Sequence, residues 1–317
     1  VEKALSLILI ISILLLQSCE LFYPEQPLGS IHVISVGLNY KGTGIRVLRG
    51  TINDTQEIEQ CLASLSTRHL RTYHSYSLLQ RGGAGIDEYD QPGNAISLPT
   101  KSNVLNRISA LAADLTENDL TIFNFNGHGN DDGSLILASP NPDGKIILDE
   151  NNRPLDKETL LSVTELLTAL ANLPGKQLLI LDSCYSGSFV EGSGSSVSLI
   201  EKRVFLEEAI FTYFSSTGYS PSTFVLAATT NDNYSYETGD VFHKHGRFTE
   251  TLLAGLGWDH ETNTLNPKIP AMKKGVLTTD SLYAYVLENQ ERLHASMYFS
   301  LYQHPTISGG AYSLRLF

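Results

Sequence analysis

Apolar residues in this chain fall into two patterns that alternate along its length. Short, largely apolar runs occupy residues 31–38 (IHVISVGL), 119–129 (DLTIFNFNGHG), 176–184 (KQLLILDSC) and 223–230 (TFVLAATT), with a more polar relative at 71–79 (RTYHSYSLL). Runs of this length predict strands, buried on both faces where they are apolar throughout. Between them, apolar residues recur every three or four positions. Ile58, Cys61, Leu62 and Leu65 do so within 51–65, and Val104, Leu105, Ile108, Leu111 and Leu115 within 100–115. That spacing is the buried stripe of an amphipathic helix. Residues 162–175 predict another helix, opening on Ser162 with Glu165 as a capping box and stopping at Pro174-Gly175. Two more helices are predicted over 246–256 and 278–293, and residues 303–309 lead into a last short strand. Residues 80–99, rich in glycine and polar side chains, read as a mobile surface loop. The alternation shows no repeat and no composition break, and it predicts one doubly wound α/β domain.

Folds of this class bind ligands at the carboxyl ends of their parallel strands. Two turns at predicted strand ends carry chemistry: Gly127-His128-Gly129 and Asp182-Ser183-Cys184. A cysteine is a strong nucleophile only as thiolate, so it needs a base beside it. An imidazole on an adjacent strand end is such a base. The backbone N–H groups of Gly129 and Cys184 are candidates for an oxyanion hole. Alone, a buried cysteine reads as core and a histidine in a turn as surface. Their joint placement at successive strand ends points to catalysis.

Composition narrows the partners. A formal net charge of −12 over 317 residues disfavours binding to nucleic acid. Three cysteines are too few for a disulfide framework. Cys61, on the apolar stripe of its helix, reads as a small core residue. Cys19 follows an apolar stretch over residues 4–16, short for a membrane span and suited to a signal peptide. The sequence Leu16-Gln17-Ser18-Cys19 resembles a bacterial lipobox, which makes residues 1–18 a signal peptide, Cys19 the lipidated residue and 19–30 a tether. An ordinary cleaved signal and an uncleaved anchor remain alternatives. The expected location is therefore the cell envelope or the exterior, with the membrane engaged through a lipid anchor.

The pair NGHG (126–129) and DSCYSG (182–187) resembles the caspase-like cysteine peptidases of family C14, of the bacterial caspase-like and metacaspase type. The segments VISVGLNYKGTGIRVLRGTINDTQEIEQCL, LAATTNDNYSYE, HGRFTETLLAGL and QHPTISG are similar to successive parts of that family, so the resemblance covers most of residues 31–317. It implies a three-layer α/β/α domain of caspase-like fold, with a mostly parallel sheet and an antiparallel C-terminal edge. A large-subunit-like part would span 31–190, a linker 191–222 and a small-subunit-like part 223–317. The resemblance makes His128 the catalytic histidine and Cys184 the nucleophile of an endopeptidase acting on peptides or proteins. It places Asp54 and Asp182 in an S1 pocket for Arg or Lys, although an N-cap role is an alternative for Asp54 and a helix N-cap or a strand-end hydrogen bond for Asp182. It also suggests self-cleavage in the linker near Lys202 and Arg203, against the alternative of a stable helix there.

The caspase signature Q-A-C-R-G is absent, because Ser183 and Tyr185 flank the cysteine. No cofactor is required by the sequence. Calcium activation, frequent in the metacaspase branch, finds no supporting pattern in Glu191 or in Asp143, Asp149, Glu150 and Asp156, which read as a solvated acidic loop. No metal is assigned. A rival reading is a catalytically silent caspase-like domain that binds peptides or protein partners. Another is a transpeptidase on the same fold. The oligomeric state is not legible.

Overall fold

The computed structural model describes residues 28–81, 88–91, 94–96, 98–130, 133–150, 153–185, 223–228, 237–238, 244–294, 303, 305–309 and 313–317. The signal-like segment with Cys19, Glu191 and the linker with Lys202 and Arg203 lie outside the described residues.

The central sheet is built from β1 (Ile31–Leu38), β2 (Tyr73–Gln80), β5 (Leu120–Gly129), β8 (Lys176–Tyr185), β9 (Thr223–Ala227) and β14 (Thr306–Gly309). Their spatial order is β2-β1-β5-β8-β9-β14. The pairs β1–β2, β1–β5, β5–β8 and β8–β9 are parallel, and β14 runs antiparallel to β9 at the edge. This is the mostly parallel sheet with an antiparallel C-terminal edge that the family resemblance implied.

Period-two alternation divides the apolar runs between two cores. Val36, Phe123, Phe125, Leu179 and Leu181 pack with Val104, Ile108, Leu166 and Leu170, which belong to α2 (Lys101–Leu111) and α3 (Val163–Ala171). On the opposite face, Val33, Ile122, Leu178, Ile180 and Leu226 pack with Ile58, Leu65, Leu252 and Val286. These last come from α1 (Thr51–Arg68), α4 (Arg247–Leu256) and α5 (Thr279–Leu293). Each fully buried aliphatic side chain contributes about 1.5–3 kcal/mol relative to exposure. Cys61 lies in the second core, wholly buried, and burial pushes its thiol far above the ordinary value, so it is packing rather than chemistry.

Local signals in the sequence are realised at the helix ends. Ser162 and Glu165 form the predicted capping box of α3, and Thr100 Oγ1 accepts the Asn103 N–H at the start of α2. Two expectations change. The stretch read as a surface loop holds a hairpin, β3 (Glu88–Gln91) against β4 (Asn94–Ile96). Its register pairs Gln91 with Asn94, and the glycine-rich, polar composition of residues 80–99 hid the pairing. The Gly-His-Gly and Asp-Ser-Cys segments are also not turns. Parallel pairing of β5 with β8 continues through Gly129↔Tyr185, so both motifs are extended strand. Short strands β6 (Leu135–Ile136) and β7 (Leu160–Leu161) prolong the sheet beyond β5. Two further hairpins pair β10 (Glu237–Thr238) with β11 (His245–Gly246), and β12 (Trp258–Asp259) with β13 (Thr264–Leu265). Among the described residues no helix is long and apolar enough to cross a membrane.

Candidate active site

The β5–β8 ladder sets the first pair of functional residues. His128 and Cys184 are direct Cα partners in its register, two rungs beyond Asn126 and Asp182. Adjacent strands lie about 4.8 Å apart, so the sheet itself brings together two residues remote in sequence. Gly129 ends β5 and pairs with Leu135 of β6.

His128 is held from three sides. Its backbone N–H donates to Tyr40 Oη at 2.8 Å, and that hydroxyl donates to the Ile136 carbonyl at 2.6 Å. The Tyr40 ring lies 4.7 Å from the imidazole, centroid to centroid. His128 Nε2 meets the Arg46 carbonyl oxygen at 2.8 Å. A carbonyl only accepts, so Nε2 carries the proton and Nδ1 carries the lone pair. Burial holds the imidazole down at about 4, against the opposing pull of the Arg46 carbonyl. At neutral pH His128 is therefore an uncharged imidazole whose basic atom is Nδ1.

The second pair forms around Gly246. Asp54, in the first turn of α1, engages His245 Nδ1 through Oδ1 and accepts the Gly246 N–H through Oδ2, both at 2.9 Å. Asp182, on β8, accepts the Thr249 N–H at 3.1 Å and the Thr249 hydroxyl at 2.7 Å, both through Oδ2. Gly246 is the N-cap of α4 and has no side chain to offer. Asp182 supplies the missing cap from another strand, and a Cβ on Gly246 would stand only 2.2 Å from Asp182 Oδ2. Both carboxylates are buried. Burial raises Asp54 to about 7, the charge of Asp182 adds to the shift, and His245 and the Gly246 N–H oppose it. For His245, burial is outweighed by the Asp54 hydrogen bond and by the charges of Asp54, Glu57 and Glu250, so its affinity for a proton also rises.

The two expected pairs are thus each brought together. The N-cap alternative is realised for Asp182 in trans. It is not realised for Asp54, whose oxygens reach His245 and Gly246 rather than the start of its own helix. Asp143, Asp149 and Asp156 accept the N–H groups of Lys145, Arg153 and Glu158, which ties these carboxylates to turn formation in the acidic loop. Sequence reading missed Tyr40, the Arg46 carbonyl, His245 and Thr249. A backbone carbonyl leaves no mark on a sequence. His245-Gly246, by contrast, did carry a signal, since a glycine stands where the following helix needs a capping side chain.

A family model for the metacaspase, peptidase C14 domain matches residues 32–193, just over half of the chain. The chain belongs to the metacaspase family. Among curated relatives, Metacaspase-1 of Candida albicans is 32% identical over 168 residues, covering 51% of this chain and 34% of that protein. Metacaspase-1B of Aspergillus terreus is 25% identical over 278 residues, covering 84% of this chain and 69% of that protein. The match thus spans only about a third of the first relative's length. Caspase-1 from Spodoptera frugiperda superposes with a TM-score of 0.48 at 12% identity, over 89% of this chain and 86% of that one. In this metacaspase-family domain, His128 and Cys184 lie in the matched region, as do Asp54 and Asp182. A neutral imidazole next to a cysteine position suits acyl transfer, and two buried carboxylates suit recognition of a cation.

Proposed function

We propose that this chain is a cysteine endopeptidase in which His128 and Cys184 form the catalytic dyad. The observation that carries the reading is the His128–Cys184 register, with the imidazole fixed through Nε2 on the Arg46 carbonyl. His128 Nδ1 takes the thiol proton as Cys184 Sγ attacks the substrate carbonyl carbon, and it returns that proton to the leaving amine. The acyl-enzyme is then hydrolysed by water, with His128 again the base. The N–H groups of Gly129 and Cys184 stabilise the oxyanion.

In the same proposal the S1 pocket selects Arg or Lys. Asp54 is engaged at both oxygens, so it acts on a P1 cation through its charge and by fixing the Gly246 backbone. Asp182 stands on the strand that carries the nucleophile and adds a second negative charge. Removing one partner of a buried ion pair costs about 3–5 kcal/mol, so loss of either aspartate is expected to reduce kcat/KM for basic substrates far more than for neutral ones. The proposal extends to export and lipid anchoring at Cys19, supported by the apolar run over 4–16 and the lipobox-like end. Cys19→Ser is then expected to abolish partitioning into detergent.

The test is hydrolysis of fluorogenic peptides with Arg, Lys or Asp at P1, by the unaltered chain and by Cys184→Ala. Cleavage after Arg or Lys, lost in Cys184→Ala, is expected. Activity that survives the substitution refutes the dyad, and a preference for Asp refutes the S1 assignment.

A further inference from the structure

Behind Asp54 lies a group of side chains that the peptidase reading does not use. Glu57 follows Asp54 by three residues on α1, which puts both on one side of the helix. Two histidines converge on it. His245 comes from β11 and His260 from the turn between β12 and β13. His245 Nε2 lies 3.4 Å from Glu57 Oε1, and His260 Nδ1 lies 2.5 Å from Glu57 Oε2. One ligand atom from each of the three residues falls within 4.8 Å of the other two.

We infer that Glu57, His245 and His260 form a binding site for a zinc-type divalent cation, set directly against the Asp54 carboxylate.

Three observations carry this. First, the donor set of two imidazole nitrogens and one carboxylate suits zinc, whereas calcium and magnesium require mostly oxygen. Bond lengths of about 2.0–2.1 Å with tetrahedral angles place ligand atoms roughly 3.3 Å apart. The His245 Nε2–Glu57 Oε1 pair already has that spacing, and the His260 Nδ1–Glu57 Oε2 pair reaches it by opening somewhat less than about 1 Å, with the carboxylate meeting the ion through both oxygens.

Second, the outer partners are those of a metal site. A ligating histidine characteristically donates its other ring N–H to a carboxylate. His245 Nδ1 is engaged by Asp54 Oδ1 at 2.9 Å, which turns the opposite nitrogen, Nε2, toward Glu57. With the proton on Nδ1, a lone pair on Nε2 faces a carboxylate oxygen, and a positive charge must stand between them. A metal ion fills that role by displacing protons to solvent. Trp258 Nε1–H donates to Glu57 Oε2 at 2.9 Å and fixes the carboxylate.

Third, there is a way in. Side-chain exposure rises from 4% at His245 through 14% at Glu57 to 27% at His260. A buried inner ligand and a solvent-facing outer one let an ion enter without opening the core.

A bound ion would tie α1 to the β12–β13 hairpin. It would also hold His245 neutral with its Nδ1–H on Asp54, keeping Asp54 an ionised acceptor beside Gly246. That consequence for peptide cleavage rests on the S1 reading above, whereas metal binding does not.

The test therefore uses no substrate. The full chain carrying Cys184→Ala, which removes the reactive thiol as a competing ligand, is titrated with Zn²⁺ by calorimetry in buffers of different ionisation enthalpy. One Zn²⁺ per chain is expected, with proton release and no displacement by a large excess of Ca²⁺ or Mg²⁺. His260→Ala, at an exposed turn that the core does not need, and Glu57→Gln are each expected to weaken binding at least about tenfold. No saturable binding, or binding that either variant leaves unchanged, overturns the site.

Discussion

Asp182 caps a helix that begins 65 residues further along the chain: its Oδ2 accepts the N–H of Thr249, the third residue of α4, at 3.1 Å, and the Thr249 hydroxyl at 2.7 Å. A residue proposed for substrate recognition is therefore also part of the fold, and the two roles separate by substitution. Asp182→Asn keeps an oxygen to accept from Thr249 and removes the charge, so it is expected to unfold within about 1 kcal/mol of the unaltered chain while losing cleavage after Arg or Lys. Asp182→Ala removes the cap as well and is expected to cost a further ~1–2 kcal/mol. Urea melts of both variants, set beside kcat/KM, check this. Equal stability of the two would show that Asp182 is no cap.

Gly246 occupies the space between the two carboxylates, and a Cβ there meets Asp182 Oδ2 at 2.2 Å. Since the Gly246 N–H is itself held by Asp54, the backbone has little freedom to retreat. Gly246→Ala is expected to destabilise by about 1–3 kcal/mol through overpacking. Because the clash is with one named side chain, the penalty should shrink when Asp182 is truncated. A double-mutant cycle of Gly246→Ala with Asp182→Ala measures the coupling, and additive effects would place the strain elsewhere.

Tyr40 is a positioning residue for His128. Its hydroxyl accepts the His128 N–H and donates to the Ile136 carbonyl, while its ring packs beside the imidazole. Tyr40→Phe keeps the ring and deletes both hydrogen bonds, leaving buried backbone groups to find other partners at a cost of about 1–3 kcal/mol. The expected signature is a fall in kcat with KM little changed, together with a shifted His128 titration by NMR. A loss of stability with the titration unmoved would mean that Tyr40 supports the fold alone.

How far this site was legible depends on the range over which each part is encoded. The His128–Cys184 pairing was legible because parallel strands align their ends, so two residues that each close an apolar run had to meet once β5 and β8 were neighbours. The capping box at Ser162 and Glu165 was legible because it is complete within four residues. What His128 Nε2 touches was not, since the Arg46 carbonyl is common to every residue type and only the path of the 39–50 segment brings it there. The cap that Asp182 gives to α4 was hidden for a related reason: the helix start showed a missing cap at Gly246, but nothing local named the donor of the replacement. The hairpin of β3 and β4 was masked by glycine and polar residues whose composition matches that of a loop.

The buried imidazole gives the last prediction a definite sign. His128 ordinarily titrates at 6.5, and burial lowers it to about 4 in the folded chain. Unfolding lets it regain the ordinary value, so between those two pH values the unfolded chain binds a proton that the folded chain refuses. The contribution of a neutral His128 is therefore fully present above 6.5 and is lost as pH falls toward 4. The gap corresponds to about 3 kcal/mol. Other groups titrate in the same range, so the measurement is a difference: urea unfolding from pH 7.5 to 4 for the Cys184→Ala chain with and without His128→Gln. Both proteins share every other titrating group, and the chain retaining His128 is expected to lose about 3 kcal/mol more on acidification. Parallel profiles would show that the imidazole charges freely in the fold, which would also remove the argument that it waits at neutral pH as an uncharged base for Cys184.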